Sequence, residues 1–144
     1  MGERSKTPSV SARIWSLGGS TAIYSAWEPL AEKLAPEGER FAGHLAFYPG
    51  AYVWPEEMRW DVNPILSLIG RDDDYTPSIL IENLSNAINK AGGNSAVILY
   101  ENSHHSFDRV DPVKFLPDAI ALSDKPSTIA VSYTHLTLPT KRIV

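Results

Sequence analysis

Three short, unbroken apolar runs dominate this chain: HLAFYPG (44–50), PILSLIG (64–70) and AVILYE (96–101). None alternates cleanly between apolar and polar residues, as a strand with one wet face would. Continuous apolar strands belong to sheets covered on both faces, which are nearly always parallel and flanked by helices. The segments around them carry helical spacing. In GGSTAIYSAWEPLAEKLAP (18–36), Ala22, Ile23, Ala26, Trp27, Leu30 and Leu34 recur at three- and four-residue steps, and Pro29 either kinks that helix or starts a second one. In PSILIENLSNAINKAGG (77–93), Pro77 suits a first turn, Leu80, Leu84, Ala87, Ile88 and Ala91 form a stripe, and Gly92-Gly93 end it. ARIW (12–15) adds a short apolar piece, and PVKFLPDAIALS (112–123) reads as a weak helix interrupted by Pro117. The expected fold class is α/β, an open sandwich with a mostly parallel sheet. Three or four strands make a small sheet, so part of the domain is expected to be missing.

At 144 residues with 43% apolar content, the chain can bury one core. The formal net charge of −4, with 13 scattered Lys and Arg, offers no basic patch for nucleic acid. The absence of cysteine excludes disulfides, thiolate metal sites and a cysteine nucleophile. No stretch approaches the roughly 18 apolar residues of a membrane span, and the polar start MGERSKTPSVSAR lacks the apolar core of a signal peptide. A cytoplasmic location is expected on those absences.

The two ends stand apart. Residues 1–11 read as a polar lead-in. The final VSYTHLTLPTKRIV (131–144) breaks the pattern and resembles the translation of sequencing-adapter DNA, so it reads as a non-native tail; the other reading is an edge strand, SYTHLTL. The folded domain is therefore expected over 12–130.

In an open α/β sheet, chemistry gathers on loops leaving the carboxyl ends of strands, and three such loops carry reactive side chains. Ser16 follows ARIW, where a helix N-terminus can stabilise a developing oxyanion; alternatively Ser16 or Ser20 merely caps the helix. Asp72, Asp73 and Asp74 follow the second run, where a carboxylate could orient a histidine or simply cap the next helix. His104 and His105 follow AVILYE, where one histidine could act as a general base. Consecutive aspartates, like adjacent histidines, do not converge on one point, so no metal site is expected. Taken together, serine, aspartate and histidine occur in the chain order of α/β-hydrolases.

At these residues the chain resembles the dienelactone hydrolase family of α/β-hydrolases over about residues 13–122. The resemblance is carried by S16-L17-G18-G19-S20-T21-A22, by F47-Y48-P49-G50, by P64-I65-L66-S67-L68-I69-G70 with D73 and P77, and by Y100 with H105-S106-F107-D108. It implies a partial α/β-hydrolase sandwich with Ser16 as nucleophile, Asp73 as acid and His105 as base, and with the Leu17 N–H as one oxyanion donor. It also implies a small ester or lactone substrate hydrolysed through an acyl-enzyme, with no metal or organic cofactor. Many members carry a cysteine nucleophile; a serine looks like the esterase-type branch. Two departures stand out. The G-x-S-x-G pattern reads I14-W15-S16-L17-G18, so Ile14 is expected to crowd the turn, as if a few residues had been deleted there. The strands that precede the nucleophile in the family, and the loop giving its second oxyanion donor, have no counterpart in the sequence. A bare sheet edge prone to self-association is therefore expected. The competing expectations are a non-catalytic α/β binding module and an inactive hydrolase fragment.

Overall fold

The four apolar segments become the strands β1 (Ser11–Trp15), β2 (Gly43–Phe47), β3 (Ile65–Gly70) and β4 (Ser95–Tyr100) of one parallel sheet, in the order β1-β2-β3-β4. The computed structural model describes residues 11–110, 114–116 and 127–129. Register pairs Trp15 with Phe47, Phe47 with Leu68, and Gly70 with Tyr100. The carboxyl ends of all four strands therefore lie along one edge. β1 begins at Ser11, one residue inside the expected polar lead-in.

Burial corrects the expectation of strands sealed on both faces. Along β2 and β3, His44, Ala46, Ile65, Ser67 and Ile69 are buried, whereas Leu45, Phe47, Leu66 and Leu68 are only half-buried. The sealed face carries the helices: Ala22 and Ile23 of one, and Ile81, Leu84 and Ile88 of another, join Ala46, Ile65 and Ile69 in a single cluster. The fully buried isoleucines and leucine among them each contribute about 1.5–3 kcal/mol. The outer edge of β1 has no partner strand among the described residues.

Pro29 starts a second helix. Helix α1 (Leu17–Tyr24) ends, Trp27 bridges to Trp60, and α2 (Glu28–Leu34) begins with Pro29 in its first turn, where a missing N–H costs nothing. Helix α3 (Ser78–Lys90) starts one residue after Pro77, which occupies the N-cap position rather than the first turn. Its end is closed by a Schellman pattern. Gly92 takes a positive φ of 89°, Gly93 N–H bonds the Ile88 carbonyl at 2.9 Å, and Gly92 N–H bonds that of Asn89 at 3.1 Å.

The weak helix expected over 112–123 does not form over the described residues of that stretch. Lys114–Leu116 is a strand, β5, paired antiparallel with β6 (Ser127–Ile129). Leu116 precedes Pro117, whose ring disfavours the helical region for the residue before it. The rest of that stretch, the lead-in 1–10 and the tail 131–144 lie outside the described residues. No helix among the described residues is long and apolar enough to cross a membrane.

Candidate active site

Ser16 sits where β1 turns into α1, with φ 53° and ψ −120°, a backbone conformation that a side-chain-bearing residue adopts only under strain. Its side chain makes no capping bond to the helix. Ser16 N–H is held by the Phe47 carbonyl at 2.9 Å, and the Ser16 carbonyl accepts the N–H of Ser20 at 3.0 Å. The turn is thus clamped from both sides. This geometry is that of a nucleophile elbow, which lifts the serine hydroxyl above the sheet edge.

Ile14 fills the space beside the turn, which closes around it. Its side chain lies against the Cα of Gly18, where an added Cβ would come within 2.2 Å of Ile14 Cγ2. The bulk absent from position 18 is the room that Ile14 occupies. Ser20, the other candidate cap, instead donates to the Gly50 carbonyl at 2.8 Å and accepts the Gly50 N–H at 2.9 Å, fixing the loop after β2.

The loops after β3 and β4 meet beside Ser16 because Gly70 lets them. A Cβ at Gly70 would fall 2.0 Å from the Ser103 carbonyl oxygen, and that same oxygen accepts the Asp72 N–H at 3.0 Å. His105 thereby reaches Ser16: its Nε2 is 2.9 Å from Ser16 Oγ, and its Nδ1 is 2.9 Å from Asp73 Oδ2. With the proton on Nδ1, the ring donates to the carboxylate and Nε2 accepts from the serine hydroxyl. His105 and Asp73 are buried and Ser16 is half-buried. Asp73 also serves the turn, its Oδ1 accepting the N–H groups of Tyr75 at 3.0 Å and Thr76 at 2.7 Å. One carboxylate oxygen thus fixes the turn that precedes α3 and the other faces the histidine, while the helix itself is capped at Pro77 with no side-chain bond. Asp72 is exposed, and His104 donates through Nδ1 to the Asp72 carbonyl at 2.8 Å rather than entering the site.

Other residues position the histidine. Its ring lies between Tyr48 and Tyr75, with centroids at 4.6 and 4.8 Å in edge-on contact. Tyr48, at φ 37°, donates its hydroxyl to Asp108 Oδ1 at 2.9 Å, while Trp15 Nε1–H donates to Asp108 Oδ2 at 2.8 Å. Burial, and then the Asp108 carboxylate it bonds, push the Tyr48 phenol well above its ordinary value, so it remains a neutral donor. Phe107 is buried against Tyr48 and Tyr100. The histidine loop is therefore held to the first three strands as well as its own. Tyr48 and Asp108 were visible as motif letters, but their joint hold on His105 was not. Thr76 gave no signal at all.

Leu17 opens α1, so its N–H belongs to the first turn, which has no carbonyl partner of its own. A group of negative charge forming at Ser16 would face that N–H and the positive end of the helix. Among the described residues no group of three or more His, Asp or Glu side chains is placed to hold a metal ion.

Solved esterases share this fold. Esterase PE8 aligns with a TM-score of 0.52 at 23% identity over 65% of this chain and 40% of its own. Esterase 2 of Thermogutta terrifontis phosphorylated by paraoxon aligns at 0.55, with 22% identity over 67% and 44% of the two chains. The propionate-bound form of that esterase gives 0.53, 21%, 67% and 46%. The chain thus spans less than half the length of these esterases. No curated protein sequence matches it. The model of the dienelactone hydrolase family matches residues 28–125, a stretch that contains Asp73 and His105 and begins downstream of Ser16. With a parallel α/β sheet as its frame, this chain belongs to the dienelactone hydrolase family.

Proposed function

We propose that the chain carries the catalytic half of a serine hydrolase acting on small esters or lactones. The observation that supports this most is the unbroken relay from Ser16 Oγ through His105 to Asp73, with both links at 2.9 Å and the serine on a strained elbow. Ser16 Oγ attacks the ester carbonyl carbon while its proton passes to His105 Nε2, and Asp73 stabilises the imidazolium. The tetrahedral oxyanion takes the Leu17 N–H as one donor. Collapse breaks the carbon–oxygen bond to the alcohol, which leaves with the proton from Nε2. Water, deprotonated by His105, then releases the acid and restores Ser16. A second oxyanion donor comes, in this fold, from a loop after an earlier strand; losing one donor costs about 10²–10³ in rate.

The test is hydrolysis of p-nitrophenyl acetate by the purified chain, with a burst of nitrophenol matching the enzyme concentration. Ser16→Ala should remove the burst and His105→Ala should slow it. Turnover unaffected by either substitution would contradict the reading. The competing reading, a non-catalytic α/β module, draws on the chain's coverage of under half of the esterases it matches. It requires that no acyl-enzyme forms.

A further inference from the structure

Thr76 is buried and lies against both partners of the His105–Asp73 link. Its Oγ1 is 2.8 Å from Asp73 Oδ2, 3.0 Å from His105 Nδ1 and 3.3 Å from the Tyr48 carbonyl. Its position follows from the backbone. Pro77 holds the preceding residue out of the helical region, and the N–H groups of Tyr75 and Thr76 turn toward Asp73 Oδ1. The Thr76 hydroxyl is left pointing at the other carboxylate oxygen.

A hydroxyl has one proton and two lone pairs. A bond to a carboxylate is charge-assisted and stronger than one to a neutral carbonyl or ring nitrogen, so the proton goes to Asp73 Oδ2. The lone pairs then face His105 Nδ1. A bare nitrogen there would meet two acceptors, Asp73 Oδ2 and Thr76 Oγ1, whereas an Nδ1–H finds both as partners. Resting on the serine-hydrolase reading, we propose that Thr76 is a positioning residue that fixes His105 in the tautomer leaving Nε2 free to accept the Ser16 proton. It touches no substrate. It acts through His105, and its β-branched stem keeps the hydroxyl in place by restricting rotation about the Cα–Cβ bond.

The test compares Thr76→Val, which keeps the shape and removes the hydroxyl, with Thr76→Ser, which keeps the hydroxyl, in the full chain. Two readouts are taken: the rate at which a fluorophosphonate probe labels Ser16, and the downfield proton resonance of His105 Nδ1–H. Thr76→Val should slow labelling about tenfold, the equivalent of one lost hydrogen bond, and broaden the resonance through faster exchange. Thr76→Ser should restore labelling to within about twofold and keep the resonance sharp. Parental labelling and a parental resonance in Thr76→Val would overturn the proposal. So would equal impairment of the two variants, which marks a packing role. If Thr76→Val does not fold, the unmutated chain decides: a slowly exchanging Thr76 hydroxyl proton with a cross-peak to Nδ1–H is required, and its absence overturns the proposal. A parent chain that takes no label at Ser16 contradicts the hydrolase reading instead, and the resonance comparison then judges Thr76 alone.

Discussion

At residue scale, the elbow is a problem of volume solved at a distance of four residues. Ile14 stands where the family pattern has glycine, and Gly18 supplies the space. Gly18→Ala should therefore destabilise the fold by about 1–3 kcal/mol through overpacking against a stiff β-branched side chain. Ile14→Ala, at a partly exposed position, should recover most of that loss in a double-mutant cycle read by denaturant unfolding. Additive losses would show that the two side chains do not compete. Within the relay, Asp73→Asn should slow acylation by about 10⁴-fold while preserving the fold, because an amide can present an N–H to Nδ1 and favour the wrong tautomer; stopped-flow with an activated ester checks it. Ser16, Asp73 and His105 were legible because each follows an apolar run at a strand's carboxyl end. Thr76 was not, since its role depends on the direction of one hydroxyl behind a proline. The crowding at Ile14 was legible from the missing glycine, but the pattern does not show that Gly18 is the neighbour that makes room.

At the scale of elements, the punctuation carried most of the fold. Pro29, Gly92 and Gly93 mark real boundaries, and the three apolar runs are strands. Local signals are mixed around Leu116, where a helical spacing competes with a following proline and the extended form wins. Nor does the apolar run reveal that β2 is amphipathic in burial, with His44 on the helix-covered face. His44 Nδ1 donates to the Ala22 carbonyl at 2.9 Å, tying β2 to α1, and Asp61 lies 3.9 Å from Nε2. Burial pushes His44 below the ordinary histidine value, outweighing the raising effects of the Ala22 carbonyl and of Asp61. A depressed folded-state value means that the unfolded chain takes up the proton first as pH falls. Stability from neutral His44 is therefore complete above the ordinary histidine value and drains away as pH drops below it. The thermal midpoint should fall on acidification from pH 7 toward 5, and His44→Gln should flatten that part of the slope while lowering the midpoint at pH 7. An unchanged slope in His44→Gln would assign the acid sensitivity to other groups.

At the scale of the whole molecule, the sheet is sealed on one face, half-covered on the other and open along β1 among the described residues. The α/β class and the parallel order were legible in the apolar runs. The partial covering was not, because apolar character records what a strand tolerates rather than what packs on it. A domain over 12–130 remains our proposal for the folded unit. An unpaired edge recruits other strands unless charge opposes it, so the isolated chain should self-associate, and Ser11→Lys on the edge strand should shift sedimentation toward the monomer. A concentration-independent monomer in the unmutated chain would count against an open edge. The central claim, that Ser16, His105 and Asp73 form a working relay, is tested most directly by peptide-resolved mass spectrometry after fluorophosphonate treatment. A single adduct on Ser16 is expected, absent from Ser16→Ala and slow to form in His105→Ala. Equal labelling of all three chains, or an adduct on another residue, would contradict it.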